Sequence, residues 1–304
     1  MNTVSSNLVT LKPPYKTVFF GTPEFSVPVL EALHESDDFE VIAAVTQPDK
    51  PVGRKQILTS PAVKVRAEEL GIPVIQPRYV RKKRDEGKAF IEELTALQPD
   101  VCVLVAYGKI MPLYVLDIPK KGFINIHGSV LPLLRGASPI QMAIAEGFTE
   151  TGVTIMEMDA GMDTGAIIST ASIPVAERET AATLHDKLSV LGAEELVRSL
   201  PLYMAGDIQA QEQNDAEATY CALIQKEDGE IHWYNPPEEI ERRIRAFTPW
   251  PGCYTVIDDL RIKILEAHME NGKLVIDTVQ PAGKKPMSYE DFIKGRPNIL
   301  LPPQ

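Results

Sequence analysis

The sequence predicts an α/β chain: a Rossmann-like domain with a mainly parallel sheet, followed by a small β-rich domain. Three observations predict it. Apolar runs of strand length alternate with helix-length segments from Thr17 to about Ala205. Those runs are continuous in aliphatic and β-branched residues, the pattern of strands covered on both faces. Near residue 206 the composition turns polar, and from Tyr220 the segments become short and punctuated by turns.

Taken in order, TVFFG is a strand and SVPVLEALHES a helix. FEVIAAVTQ, IPVIQP, DVCVLVAYG, GFINIHGS and VTIMEM are further strands, with helices over PAVKVRAEELG and FIEELTALQ. Strands separated by helices imply parallel pairing through right-handed crossovers. GDIQAQEQNDAEAT has no apolar period and reads as a linker. PPEEIERRIRAF is a helix that Pro-Trp-Pro-Gly stops at 249–252. CYTVID, LRIKILEAH and KLVIDTVQ are strands joined by tight turns at DD and NG. The expected division is a flexible tail over 1–16, a first domain over 17–205, a linker over 206–218 and a second domain over 219–304.

Composition excludes several classes. With 44 % hydrophobic and 24 % charged residues, the chain of 304 residues has the makeup of a globular protein rather than a disordered one. No uninterrupted apolar stretch is long enough to cross a bilayer. MNTVSSNLVTLKPPYK lacks both the apolar core of a secretion signal and the arginines of a transit peptide. Cys102, Cys221 and Cys253 are odd in number and form no CxxC pair, which fits a reducing cytoplasm. The five histidines show no ligand spacing, so no metal site is expected. FFGTPEF holds a single glycine, which is not a dinucleotide fingerprint. A net charge of −11 means that any phosphate-binding surface must be local.

The chemistry concentrates in GFINIHGSVLPLLRGASPIQ and TGVTIMEMDAGMDTGAII. Asn125 and His127 are two apart, so on a strand they project to one side. Gly128 then permits a sharp turn. Two readings stand for the pair: a core histidine satisfied by an asparagine, or two donors around a reacting carbonyl. Asp163, in the turn GMDTG, and Asp159, four residues earlier, are rival acids, and position alone does not choose between them.

Asn125-Ile-His127-Gly-Ser129-Val-Leu-Pro132, the following Arg135-Gly136-Ala137-Ser138-Pro139-Ile140, and Met162-Asp163-Thr164-Gly165 resemble the signature of the folate-dependent formyltransferases. The family's catalytic Asn, His and Asp fall on Asn125, His127 and Asp163, and the spacing of the match selects Asp163 over Asp159. Six further segments narrow the resemblance to the methionyl-tRNA formyltransferases, among them FGTPEF, TQPDKPVGR, VAYGKIMP and QPAGKKPMS. The match runs from about Thr17 to the region of Ile293.

The resemblance implies transfer of a formyl group from 10-formyltetrahydrofolate to the amino group of initiator methionyl-tRNA, with an amino sugar nucleotide as the alternative acceptor. It implies a monomer that needs no metal and no membrane. The folate is expected near Ser129, Val130, Leu131 and Pro132, and at Tyr107 and Gly108. The loop TQPDKPVGRKQ is expected to reach the acceptor end of the tRNA through Arg54 and Lys55. Lys226, Arg242, Arg245, Lys284 and Lys285 are the expected tRNA contacts of the second domain. That domain is expected to be OB-like but abbreviated, because only MENGKLVIDTV separates LRIKILEAH from QPAGKK. It is not basic: Thr219–Gln304 holds 11 Lys and Arg against 13 Asp and Glu, a net −2. The densest basic run, RYVRKKRDEGK, lies in the first domain.

Overall fold

The structure is a computed structural model and describes residues 11–53 and 55–301. The first ten residues of the expected tail, and Arg54, lie outside the described residues.

Strand β1 (Tyr15–Gly21) opens the fold two residues before the expected start, with Tyr15 packed on Phe39 at 6.0 Å between ring centroids. Helix α1 (Val27–Glu35) and strand β2 (Phe39–Val45) follow. A two-stranded hairpin, β3 (Lys50–Val52) and β4 (Ile57–Thr59), precedes helix α2 (Ala62–Glu69), strand β5 (Val74–Ile75), helix α3 (Asp85–Leu97) and strand β6 (Val101–Val105). The short helix α4 (Leu113–Leu116) leads to β7 (Phe123–His127), then β8 (Arg135–Gly136), α5 (Pro139–Ala145), β9 (Glu150–Glu157), β10 (Ile167–Pro174) and the long helix α6 (Ala181–Ala205). The seven-stranded sheet has the order β10-β9-β7-β6-β1-β2-β5. β1 pairs in parallel with β2 and β6, and β6 with β7, whereas β9 runs antiparallel to β7. β6 and β7 are buried at every position, as their continuous apolar runs require. Among the described residues no helix is long and apolar enough to cross a membrane.

The remaining elements are β11 (Tyr220–Cys221), α7 (Pro237–Ala246), β12 (Cys253–Ile257), β13 (Leu260–Glu270), β14 (Lys273–Pro281), β15 (Met287–Ser288) and α8 (Tyr289–Gly295). β12 to β15 form an antiparallel sheet in linear order. An OB barrel has five strands, so four agree with the shortening expected here. Both hairpin turns use left-handed pairs: Asp258 and Asp259 at φ 47° and 61°, and Asn271 and Gly272 at φ 51° and 75°. Such pairs match the twist of the flanking strands.

The chain divides into two compact units, each drawn from several stretches of sequence. The first takes the described residues up to Leu131 with Val153–Ala171 and Leu188–Ala216; the second takes Pro132–Gly152, Ser172–Lys187 and the chain from Glu217 onward. A single crossing at 206–218 was the expectation. The interleaving has local causes: β8 pairs with β11, and α5 packs on α7, so residues 132–145 fold with the carboxyl-terminal part. The first unit's core gathers Val18, Phe20, Leu104, Tyr107 and Phe123. A second cluster joins Leu134, Ala143 and Cys221.

Candidate active site

β7 is covered on both faces, so a polar side chain on it must be placed inside. Asn125 and His127 are both buried there, at 8 % and 6 % exposure. Asn125 pairs with Leu104 of β6 on one side and Met156 of β9 on the other, and His127 pairs with Thr154. Among the described residues no hydrogen bond holds the Asn125 amide. A satisfied core pair is therefore not what the structure shows. The amide is not among the fully buried, unpartnered polar atoms, so it keeps some access to solvent and to a ligand.

Asp163 meets His127. Its Oδ2 lies 3.7 Å from His127 Nδ1, with the two side chains 18 % and 7 % exposed. Asp163 sits in the left-handed region at φ 56°, a conformation that aspartate tolerates better than most residues. The turn is over-determined. Gln213 Nε2 donates to the carbonyls of Asp163 and Gly165, both at 2.8 Å. A Cβ on Gly165 would come within 1.8 Å of the Glu157 carbonyl, so only glycine lets the turn close here. Asp159 has other work: it accepts from Gly161 N at 2.9 Å and from Thr164 Oγ1 at 2.8 Å on the exposed side of the turn. Geometry thus separates the two aspartates as the spacing did.

The expected folate residues border the same strand ends. Ser129 follows His127, and its carbonyl accepts from Thr154 Oγ1 at 2.7 Å; Thr154 Oγ1 accepts in turn from Leu131 N at 3.0 Å. Ser129 and Leu131 are buried, and Val130 and Pro132 are half-buried. At the end of β6, Ala106 and Gly108 adopt φ 47° and 80° and stand exposed around Tyr107. The Tyr107 ring faces inward, edge-on to Phe20 at 5.5 Å, and burial pushes its hydroxyl pKa up. That position therefore offers a ligand its backbone rather than its ring. The loop is pinned by Gln47 Nε2, which donates to the carbonyls of Tyr107 and Gly108 at 3.0 and 3.1 Å.

The β3–β4 hairpin carries Lys55 at its exposed tip, beside exposed Val52, Ile57 and Leu58. Its base is anchored by Asp49, which accepts from Gln76, Ser60 and Lys64. The hydrogen bonds from Gln76 and Lys64 lower the Asp49 pKa.

In the second unit the predicted basic residues part company. Arg245 grips Glu241 with two nitrogens, at 2.6 and 2.9 Å, and donates to the Glu179 carbonyl at 2.8 Å. Arg242 Nε donates to the Ala145 carbonyl at 3.2 Å. Both arginines fasten α7 within its own unit. Lys226, Lys284 and Lys285 are exposed. Lys226 borders a hollow of about 490 Å³ with Trp250, Arg261, Lys263, Gln280 and Gly283. Trp250 is half exposed, and the Arg261 guanidinium lies 3.4 Å from the centroid of the Tyr254 ring. Trp250, Arg261 and Lys263 escaped the sequence reading. The signal for two of them was present: Arg261 and Lys263 are two apart on a strand whose Ile262 and Ile264 face the core.

The formyl transferase family pattern matches residues 15–200, and the formyl transferase C-terminal domain pattern matches residues 223–274. A methionyl-tRNA formyltransferase of Geobacter metallireducens is 41 % identical over 309 residues, covering 93 % of this chain and 97 % of its own length. A methionyl-tRNA formyltransferase of Clostridium thermocellum superposes with a TM-score of 0.59 at 17 % identity, over 88 % of this chain and 98 % of that one. An N-formyltransferase of Helicobacter canadensis, solved with folinic acid and dTDP-3-aminofucose, superposes with a TM-score of 0.64 at 20 % identity, over 86 % of this chain and 95 % of that one. The two superpositions speak for the fold alone. Sequence identity along nearly the full length carries the assignment further: this chain belongs to the methionyl-tRNA formyltransferase family.

Proposed function

We propose that this chain transfers the formyl group of 10-formyltetrahydrofolate to the amino group of initiator methionyl-tRNA. The observation that carries the reading is the buried pair Asn125 and His127 toward the carboxyl end of β7 in an open α/β sheet, with the half-buried Asp163 facing His127. That edge is where such sheets hold their ligands.

The amine nitrogen attacks the formyl carbon. A bond from carbon to the amine forms, the bond from carbon to the folate nitrogen breaks, and one proton passes from the amine to that nitrogen. Negative charge gathers on the formyl oxygen on the way. The amide of Asn125 and the imidazole of His127 are the donors for that oxygen, and a buried donor costs no reorganisation when the charge develops. Asp163 fixes the imidazole's orientation and tautomer from the Nδ1 side. The attacking group belongs to the substrate, so the chain needs no nucleophilic serine or cysteine.

The exposed backbone of Ala106 and Gly108 suits the polar edges of a pterin, and residues 129–132 border the other side. For the tRNA, Lys55 serves at the hairpin tip, and Arg54, its neighbour in the sequence, serves with it. Lys226, Lys284 and Lys285 serve in the second unit, joined by Trp250, Arg261 and Lys263. Arg242 and Arg245 hold α7 in place for them. In this reading residues 17–205 carry the chemistry, 219–304 the main tRNA contacts, and 206–218 join the two. All three cysteines are buried and none is in a disulfide, which fits a cytoplasmic enzyme.

The test is formyl transfer to methionine-charged initiator tRNA, with an amino sugar nucleotide as competitor and His127→Ala as control. Transfer to the tRNA that vanishes in the variant supports the reading. Transfer to the sugar alone means the catalytic set is right and the acceptor wrong.

A further inference from the structure

The basic run at 78–84 is not used by any step above. It is a built feature rather than a loose charged loop. Gly87 lies under it so closely that a Cβ would stand 2.1 Å from the Arg81 carbonyl. Arg78 N donates to Glu86 Oε1 at 2.7 Å, and Lys82 N donates to the Tyr114 hydroxyl at 3.1 Å. The backbone is therefore fixed while the cationic ends point outward. Arg78, Arg81, Lys82, Lys83 and Arg84 are all exposed, and among the described residues none of them is ion-paired. Of the nearby acids, Glu86 accepts from the Arg78 amide and Asp85 pairs with Lys88 at 2.9 Å.

These cations surround an apolar floor. A hollow of about 380 Å³ is lined by Arg78, Tyr79, Arg81, Arg84, Lys109 and Ile110. Tyr79 is 37 % exposed, with the Arg78 and Arg84 guanidinium carbons 5.8 and 5.5 Å from its ring centroid. Ile110 is 78 % exposed. Lys109 donates to the Arg78 carbonyl at 3.1 Å, which ties the rim to the loop that carries Ile110. Fixed cations around a flat aromatic suit a single-stranded stretch of RNA, in which phosphates take the charges and a base takes the ring. On a chain of net charge −11, five cations within seven residues are a large share of the positive charge available to a nucleic acid.

We infer that this hollow is a second RNA contact, on the first unit, that holds a single-stranded stretch of the tRNA substrate with a base on Tyr79 and Ile110. The inference rests on the acceptor proposed above. The test uses the full chain with the combined variant Arg81→Ala, Lys83→Ala, Arg84→Ala and, separately, Tyr79→Ala. Labelled methionyl-tRNA is titrated by anisotropy across a potassium chloride series, and KM is measured for each substrate. Losing three phosphate contacts should flatten the slope of log K against log salt by about 2. The tRNA KM should rise while kcat and the folate KM hold. Tyr79→Ala should weaken binding about fivefold or more without changing the slope. An unchanged slope in a variant that still transfers formyl to tRNA overturns the inference and leaves the proposed function intact. A raised folate KM with unchanged tRNA binding also overturns it, because the anion held there is then the glutamyl end of the folate. A wild-type enzyme that formylates no tRNA overturns the acceptor assignment and this contact with it.

Discussion

Strands β7 and β13 both carry polar side chains at alternate positions, and they use them in opposite ways. β7 is buried at all five positions, so Asn125 and His127 are inside the protein with an aspartate beside them. β13 alternates, with Ile262 and Ile264 in the core and Arg261 and Lys263 on the other face. A polar group inside must be justified by a partner or a task. A polar group on an alternating face needs no justification, since solvent satisfies it. The first arrangement suits a reaction that requires donors in a dry place. The second suits a large, charged partner met at the surface.

The strongest way to break this contrast is to empty the β7 site. His127→Ala should lower kcat by about 10²–10³-fold, the usual cost of one lost donor to a developing oxyanion. The tRNA dissociation constant should stay where it is. A variant that keeps its kcat but loses tRNA affinity would remove β7 from the chemistry. The two aspartates sharpen the same point. Asp163→Asn should cost about 10²-fold in kcat, the low end for a group that positions or moves a proton. Asp159→Asn should cost less than about tenfold, because Asp159 only ties the turn to Thr164 and Gly161. Equal losses from both would mean that the turn as a whole, rather than Asp163, matters.

The same contrast explains which parts were legible in the sequence. Asn125 and His127 stood out as polar letters in an apolar run, and the strand period aimed them together. Asp163 was separated from Asp159 by resemblance, and the structure shows the reason: Asp163 faces His127 while Asp159 faces solvent. Gln213 was not legible, because a glutamine in a polar segment carries no signal until the chain brings it back to the Asp163 turn. Tyr107 was legible as an aromatic beside a glycine, but whether ring or backbone faces the ligand depends on Phe20, 87 residues earlier, against which the ring packs. The interleaved units were hidden for a similar reason. The two-residue pairing of Arg135 and Gly136 with Tyr220 and Cys221 leaves no period to read.

Helix α7 tests how far charge counting misleads. Its arginines read as one patch, yet Arg245 is consumed by Glu241 and the Glu179 carbonyl. Arg245→Ala leaves the largely buried Glu241 carboxylate without its bidentate partner. Stability should fall by about 1–3 kcal/mol, seen as a lower urea midpoint, with kcat and tRNA affinity unchanged. An unaltered midpoint with a raised tRNA KM would return Arg245 to the list of RNA contacts.

The smallest effects belong to β13, and they decide whether its outward face is more than solvated charge. Arg261 and Lys263 border the hollow that also holds Lys226 and the half-exposed Trp250. If each meets one phosphate, Arg261→Ala and Lys263→Ala should each reduce the salt slope of tRNA binding by about 0.7–0.9. Their effects should add, because each cation releases its own counterion. Trp250→Ala should weaken binding with the slope unchanged, since stacking carries no charge. None of the three should alter kcat at saturating tRNA, because the interactions they make are equally present before and during the reaction. A slope untouched by both cation variants would leave the second unit, net −2 over Thr219–Gln304, without a phosphate contact on this strand. The hairpin tip and the basic hollow of the first unit would then have to carry the electrostatic part of tRNA binding.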